Sequence, residues 1–548
     1  MVLRSLEQVK DYYGEGFTER KLELLSRLRS IKLRSAREVF ALHEALCFLR
    51  AYPDDAKVLS LAEAMLAAFH RRADLRHYRA ALADSGIAGT KIHYRFFWPT
   101  ARWLSRRHPN RLHLDRADRE PAERIRGALA LLVTPPEVTW LKESRVSPYA
   151  ALDELRARDE TDGEFLVRRV AAMPGDAFSR EAFFDAMDAS FLLQPGTGTP
   201  SRTRDFRAAA PSAFRQKPPR RQRPELREEI LVAPRSVRKL SPAEGARLID
   251  LARAVMVARG RDLDSFAYGE PRDVRLVDHG SGFCFMVNGV VPERRGLVPA
   301  YYGFLSLQNG VPIGYGQLDF VGRSAAISFN TFATFRGAEA AWNFASLLAM
   351  ARHVFGSRSF SLEPYQLGAH NEEAIASGAW WFYYKLGFRP RAPRALRVLE
   401  EELAYMKADP AHRSAKAALR KLAAWHLFFD LDSSHPAELP PLAELGERVA
   451  KSLAKHGGSD RKRAVKACEA EMMQALGLRS LEGLSPDERL AWSRWAPLVA
   501  SISGVNRWNA GEKRTLVAVI RAKGARSESD FVARFAAHTR LAAALGLR

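Results

Sequence analysis

The feature that most constrains this chain is a double change of hydrophobic period. From the start to about residue 193, apolar residues recur at i, i+3, i+4 and i+7, as in 19–31 (ERKLELLSRLRSI), 35–52, 56–72 and 179–193. That spacing puts them on one stripe of an α-helix. Between about 273 and 335 the period falls to two in β-branched and aromatic runs: DVRLVDH, GFCFMVN, AYYGFLSL, VPIGYGQLDF and SAAISFNTFATF. Alternation of that kind builds strands with one buried face. After about 396 the helical period returns. The expectation is an α+β multidomain chain whose central sheet lies between two all-α regions.

Local signals sharpen the middle. Ser241, Pro242 and Glu244 form a capping box at the start of a helix, with proline at its first position. Asn309-Gly310 joins two alternating runs, and such a pair favours a two-residue hairpin because both central residues take positive φ. An antiparallel meander is expected from Ala300 to about Phe335, then a helix to about 355, a strand over 357–367, and a helix and strand over 371–388. Residues 195–223 carry five prolines, eight basic residues and one acid. That composition reads as a linker, either a solvated tether or a basic arm. The expected division is therefore 1–193 helical, 194–225 linker, 226–395 α/β module and 396–548 helical.

Charge separates the parts further. The net charge is +22, with 85 basic and 63 acidic residues, yet 241–394 holds 16 basic against 13 acidic. The excess sits in the flanks, where a polyanion such as nucleic acid would be attracted. The stretch Lys91–Arg111 has six basic residues, no acid, and Tyr94, Phe96, Phe97, Trp98 and Trp103 interleaved. This is the pattern of a single-strand binder, and also of aromatics that anchor a core or domain interface while Arg102, Arg106 and Arg107 face water. Three separated cysteines with no CxxC pair support neither a disulfide framework nor a metal site. No apolar run is long enough to span a bilayer and the first residues lack a signal-peptide core, so a cytoplasmic location is expected. The absence of a Walker loop and of GxGxxG disfavours nucleotide hydrolysis and Rossmann redox chemistry.

The run Tyr383-Tyr384-Lys385-Leu386-Gly387-Phe388, placed after a meander, a helix and a strand, resembles the closing Tyr-x-Lys-Leu-Gly-Phe element of the GNAT N-acyltransferase superfamily. The resemblance covers about 155 residues. It implies an acyl-CoA co-substrate, acetyl-CoA or a longer acyl-CoA, inserted where the sheet splays at its fourth strand, here Ser324–Thr334. The pyrophosphate would meet the loop Thr334, Phe335, Arg336, Gly337, Ala338, Glu339 and Ala340, at the N-terminus of the next helix. Asn371 would be the family's asparagine at the start of the last helix, with an insertion within ASGAWW before Tyr383.

Tyr383 would protonate the departing thiolate, and Asp319 or Glu363 would act as base. Each residue also has a structural reading, Tyr383 as a core aromatic and the carboxylates as surface or capping groups. No metal is expected. The functional expectation is acyl-CoA-dependent N-acyl transfer to an amine. The alternative is a catalytically inactive scaffold or a nucleic-acid binder using Lys91–Arg111 and the basic linker.

Overall fold

In the computed structural model, described over residues 1–205, 213–220, 222–337, 339–432 and 439–547, the chain is an α+β protein. It folds as two compact units. One comprises Met1–Pro218, Arg247–Tyr268 and Gln308–Pro312; the other comprises Pro219–Ala246, Gly269–Leu307 and Ile313–Arg548. No helix among the described residues is long and apolar enough to cross a membrane.

The first unit begins as its period dictates, with helices Phe17–Ser30, Ala36–Ala51 and Ala56–Ala68. Ser35 caps the second by accepting from Glu38 N at 3.2 Å, and Leu42, Leu46 and Leu49 are buried along it. The region is not all-α. Strands β1 (Ile92–Tyr94), β2 (Leu112–Leu114) and β3 (Phe191–Leu193) form an antiparallel sheet in the order β1-β3-β2. Three residues are too few for an alternating pattern to show, so only their distant partners make these segments strands.

Two further expectations change here. Phe96 and Trp98 are buried in a core with Phe184 and Phe191, and Tyr94 and Trp103 pack against it. Of the five aromatic rings in Lys91–Arg111, Phe96 and Trp98 are withdrawn into the core, Tyr94 and Trp103 are half-buried, and Phe97 is exposed. Arg95 is taken up by Asp118, Glu120 and Asp188. The start of the expected linker is also no tether, because Thr199, Ser201, Thr203 and Asp205 are buried. Two of its polar side chains are tied into the unit: Arg259 donates to Asp205 at 2.9 Å, and Ala88 N donates to Thr203 Oγ1 at 2.9 Å. Residues 206–212 and 221 of that linker lie outside the described residues.

The second unit is built on a mixed nine-stranded sheet. Its strands are β4 (Ser236–Lys239), β5 (Gly269–Gly280), β6 (Phe283–Val290), β7 (Ala300–Gln308), β8 (Val311–Val321), β9 (Ser324–Thr331), β10 (Ser359–Leu362), β11 (Arg389–Pro390) and β12 (Leu427–Asp430). The order is β11-β12-β10-β9-β8-β7-β6-β5-β4. The meander and the hairpin at Asn309-Gly310 appear as expected, with both turn residues at positive φ. β9 stops at Thr331, short of the expected Thr334, because Ala333–Phe335 coil into a 3-10 turn.

A strand also forms in the region after 396, where the helical period returns and an all-α segment is expected. A helix ends at Ala423, and Leu427–Asp430 pair antiparallel with Ser359–Leu362 on one side and with Arg389–Pro390 on the other. Tertiary pairing overrides a run whose apolar residues fit either period.

Helix Ala340–Phe355 covers one sheet face, where Phe355 stacks on Phe320 at 4.3 Å and Phe344 meets Phe329 edge-on at 5.3 Å. The helices after residue 396 belong to this same unit. Pro486–Ala500, Ala510–Lys523 and Ser529–Ala537 bury Trp492, Trp495, Leu516, Phe531 and Phe535. A buried ionic knot ties them to the sheet. Lys523 pairs with Glu528 at 2.5 Å, Glu528 N donates to Asp273 of β5 at 3.0 Å, and Tyr302 of β7 donates to the same carboxylate at 2.6 Å.

Candidate functional site

Parallel pairing of β9 and β10 covers three residue pairs only, Ser324 with Ser359, Ala325 with Phe360 and Ala326 with Ser361. β9 then runs on to Thr331, while β10 ends at Leu362 and the chain turns into the short helix Pro364–Leu367, proline at its first position. The two strands therefore part. Gln366, on that short helix, takes over beside β9 and donates to Phe329 O at 2.7 Å. Its amide also donates to the phenol oxygen of Tyr383 at 2.8 Å.

Tyr383 sits on helix Ala379–Lys385 with its ring against Phe344 at 5.2 Å, on the helix-covered face. It is buried, and burial pushes its phenol well above the ordinary value, offset only in part by Gln366. At neutral pH the group is a protonated phenol that accepts from Gln366, which leaves its own O–H to donate.

The expected anion loop has mixed surroundings. Thr334 and Phe335 lie in the 3-10 turn, and Ala340 opens the long helix after Glu339. Arg336 donates to Thr331 O at 3.1 Å and pairs with Glu373. A Cβ at Gly337 would meet nothing within 4 Å, so the fold does not demand glycine there. Ala338 lies outside the described residues. The linker's second half packs over this helix start: Arg220 N donates to Glu339 at 3.4 Å, its guanidinium stacks on Trp342 at 4.5 Å, and Trp342 Nε1 donates to Gln222 O at 2.9 Å.

Asp319 and Glu363 meet in one place, a cavity of about 100 Å³ against the sheet, which Tyr301, His426 and Phe428 also line. None of its lining residues is Lys or Arg. Gln317 donates to Asp319 at 2.8 Å. Burial nevertheless pushes the Asp319 carboxyl up to about 6, with Glu363 adding to the effect. Burial also lowers the His426 ring, against the pull of Glu363. Tyr383 is not among the residues lining this cavity. Asn371 is elsewhere again: it caps helix Glu372–Ser377, accepting from Ala374 N at 3.1 Å and donating to Tyr365 O at 3.2 Å. The expected insertion breaks the final helix in two at Gly378, whose φ is 68°.

Sequence reasoning missed Gln366, Tyr301 and His426, none of which carries a motif. It also missed His43-Glu44-x-x-Cys47 on helix Ala36–Ala51, the one group of three among the described residues whose ligand atoms could hold a metal. The spacing was the available signal, since positions i and i+4 share a helix face. No family model matches this chain, and neither the curated proteins nor the solved structures compared with it include a match.

Proposed function

We propose that the second unit is an acyl-CoA-dependent N-acyltransferase of the GNAT kind. The observation that carries the reading is the end of β9–β10 pairing after three residue pairs, with the Tyr383 phenol linked to β9 through Gln366 just beyond it. A parted strand pair offers backbone polar groups to an extended, amide-bearing chain such as pantetheine. In the reaction the amine nitrogen bonds to the thioester carbonyl carbon and the C–S bond breaks. The thiolate takes a proton from Tyr383, and the amine gives one up toward Asp319 or Glu363. A carboxyl with a pKa of about 6 matches that second task. The cofactor diphosphate would lie at the start of helix Ala340–Phe355, where free N–H groups and the helix dipole favour anions.

Calorimetric titration of acetyl-CoA and longer acyl-CoAs into the full chain tests the reading, with Gly337→Glu as the control. Open space at Gly337 lets the variant fold, so its glutamate reports on the ligand alone. Micromolar binding that Gly337→Glu abolishes is the expected result. A folded protein that ignores every acyl-CoA would overturn the reading and leave the inactive-scaffold alternative.

A further inference from the structure

On helix Ala36–Ala51 in the first unit, three side chains of different chemistry converge. His43 Nδ1 lies 3.0 Å from Glu44 Oε1 and 3.8 Å from Cys47 Sγ, and the three ligand atoms all fall within 4.8 Å of one another. His43 is fully buried and Cys47 nearly so. Ligand bonds of about 2.0–2.3 Å to nitrogen, oxygen and sulfur place tetrahedral donors about 3.3–3.7 Å apart, so an ion would widen the His43–Glu44 separation and draw Cys47 slightly inward.

The surroundings orient the donors from behind. His43 Nε2 meets Thr203 Oγ1 at 2.9 Å, so a proton on Nε2 leaves the Nδ1 lone pair for the Glu44 side, while Cys47 Sγ lies 3.8 Å from Nδ1 and 3.9 Å from Nε2, within a small turn of the ring from Nδ1. Glu44 uses its other oxygen, Oε2, on Arg202, which leaves Oε1 on the His43 side. Backing of the imidazole and the carboxylate by hydrogen bonds to their far atoms is the arrangement that holds metal ligands in place. The Arg202 carbonyl lies 3.9 Å from Cys47 Sγ and accepts from Arg50 at 3.4 Å, so it is a neighbour of the cluster and not a fourth ligand. Thr203 and Arg202 come from the segment first read as a linker, so an ion here would fasten that segment to the helix.

We propose that His43, Glu44 and Cys47 form a structural zinc site. A thiolate, an imidazole and a carboxylate together suit Zn²⁺, while Mg²⁺ and Ca²⁺ take oxygen ligands. The ion would be held by Cys47 Sγ, His43 Nδ1 and Glu44 Oε1. The site stands apart from the acyltransferase reading and survives if that reading fails.

The test is the metal content of the full-length protein purified from zinc-supplemented medium, followed by chelation and Co²⁺ substitution. One zinc per chain is expected. Chelation should lower the Tm, and Zn²⁺ but not Mg²⁺ should restore it. Co²⁺ should give a near-ultraviolet thiolate charge-transfer band that Cys47→Ser removes. If Cys47→Ser does not fold, Thr203→Val keeps all three ligands and should weaken zinc affinity by about 10- to 100-fold through the lost support of His43. Substoichiometric zinc in folded wild-type protein with no Co²⁺ band overturns the proposal. So does zinc that stays bound at full affinity in both Cys47→Ser and Thr203→Val.

Discussion

The amide of Gln366 donates to the phenol oxygen of Tyr383 at 2.8 Å, joining the turn after β10 to the final helix of the Tyr-Tyr-Lys-Leu-Gly-Phe run. The same amide reaches Phe329 O of β9 at 2.7 Å, so one side chain bridges three elements beyond the end of β10. Gln366→Leu removes both bonds and leaves a buried phenol and a strand carbonyl without that donor. A loss of about 1–3 kcal/mol is expected in urea unfolding. Tyr383→Phe keeps the bond to Phe329 and should cost less, about 1 kcal/mol. Equal losses in the two variants would mean that the bridge to β9 contributes nothing.

The ionic knot of the second unit should behave as a buried pair. Glu528→Ala leaves Lys523 and Arg295 buried beside a missing charge, and we expect about 3–5 kcal/mol of destabilisation. Replacing Lys523 and Glu528 together by methionine should recover the part of that loss due to the stranded Lys523, while Arg295 stays buried without its carboxylate. Urea midpoints of the single and double variants decide the matter.

Two groups should shape acid stability with opposite signs. The folded Asp319 carboxyl titrates near 6, above its unfolded value, so the folded state holds the extra proton between about pH 4 and 6. Stability from this group is present at low pH and is lost as pH rises through that window. His279 is pushed down to about 4 by burial, and its Nε2 has no hydrogen-bond partner among the described residues. There the unfolded state holds the extra proton, so stability rises between about pH 4 and 6.5. Each contribution is on the order of 3 kcal/mol. Asp319→Asn should remove the falling component and His279→Phe the rising one when Tm is followed from pH 4 to 7. Superimposable profiles for wild type and either variant would rule that group out.

The broken final helix offers a local test. Asn371→Ala deletes an N-cap and should cost about 1 kcal/mol. Gly378→Ala forces a Cβ onto a residue at φ 68°, with nothing within 4 Å to clash, so its cost of about 1 kcal/mol would be conformational alone. Gly378→Asn should be milder, since asparagine tolerates that conformation. Chemical denaturation of the three variants orders them.

Local signals in the sequence determined what depends on neighbours along the chain. The central meander, the Asn309-Gly310 turn, the caps at Ser35, Ser241 and Asn371, and the helix at Ala340 are each set by the preferences of a few adjacent residues. The placing of Asp319 and Glu363 in one cavity was foreshadowed only by their chemistry, because they come from β8 and from the turn after β10. Tertiary structure alone decided the rest. β1, β2 and β3 are three residues long, and Leu427–Asp430 becomes a strand because β10 and β11 supply its partners. Phe96 and Trp98 could have faced bases or a core, and packing against Phe184 and Phe191 chose the core. The spacing of His43, Glu44 and Cys47 was visible on one helix, but their support by Thr203 and Arg202 was not. Contacts between residues 150 or more positions apart leave no periodic trace, since nothing in a linear pattern encodes which distant carbonyl, carboxylate or hydroxyl will close the site.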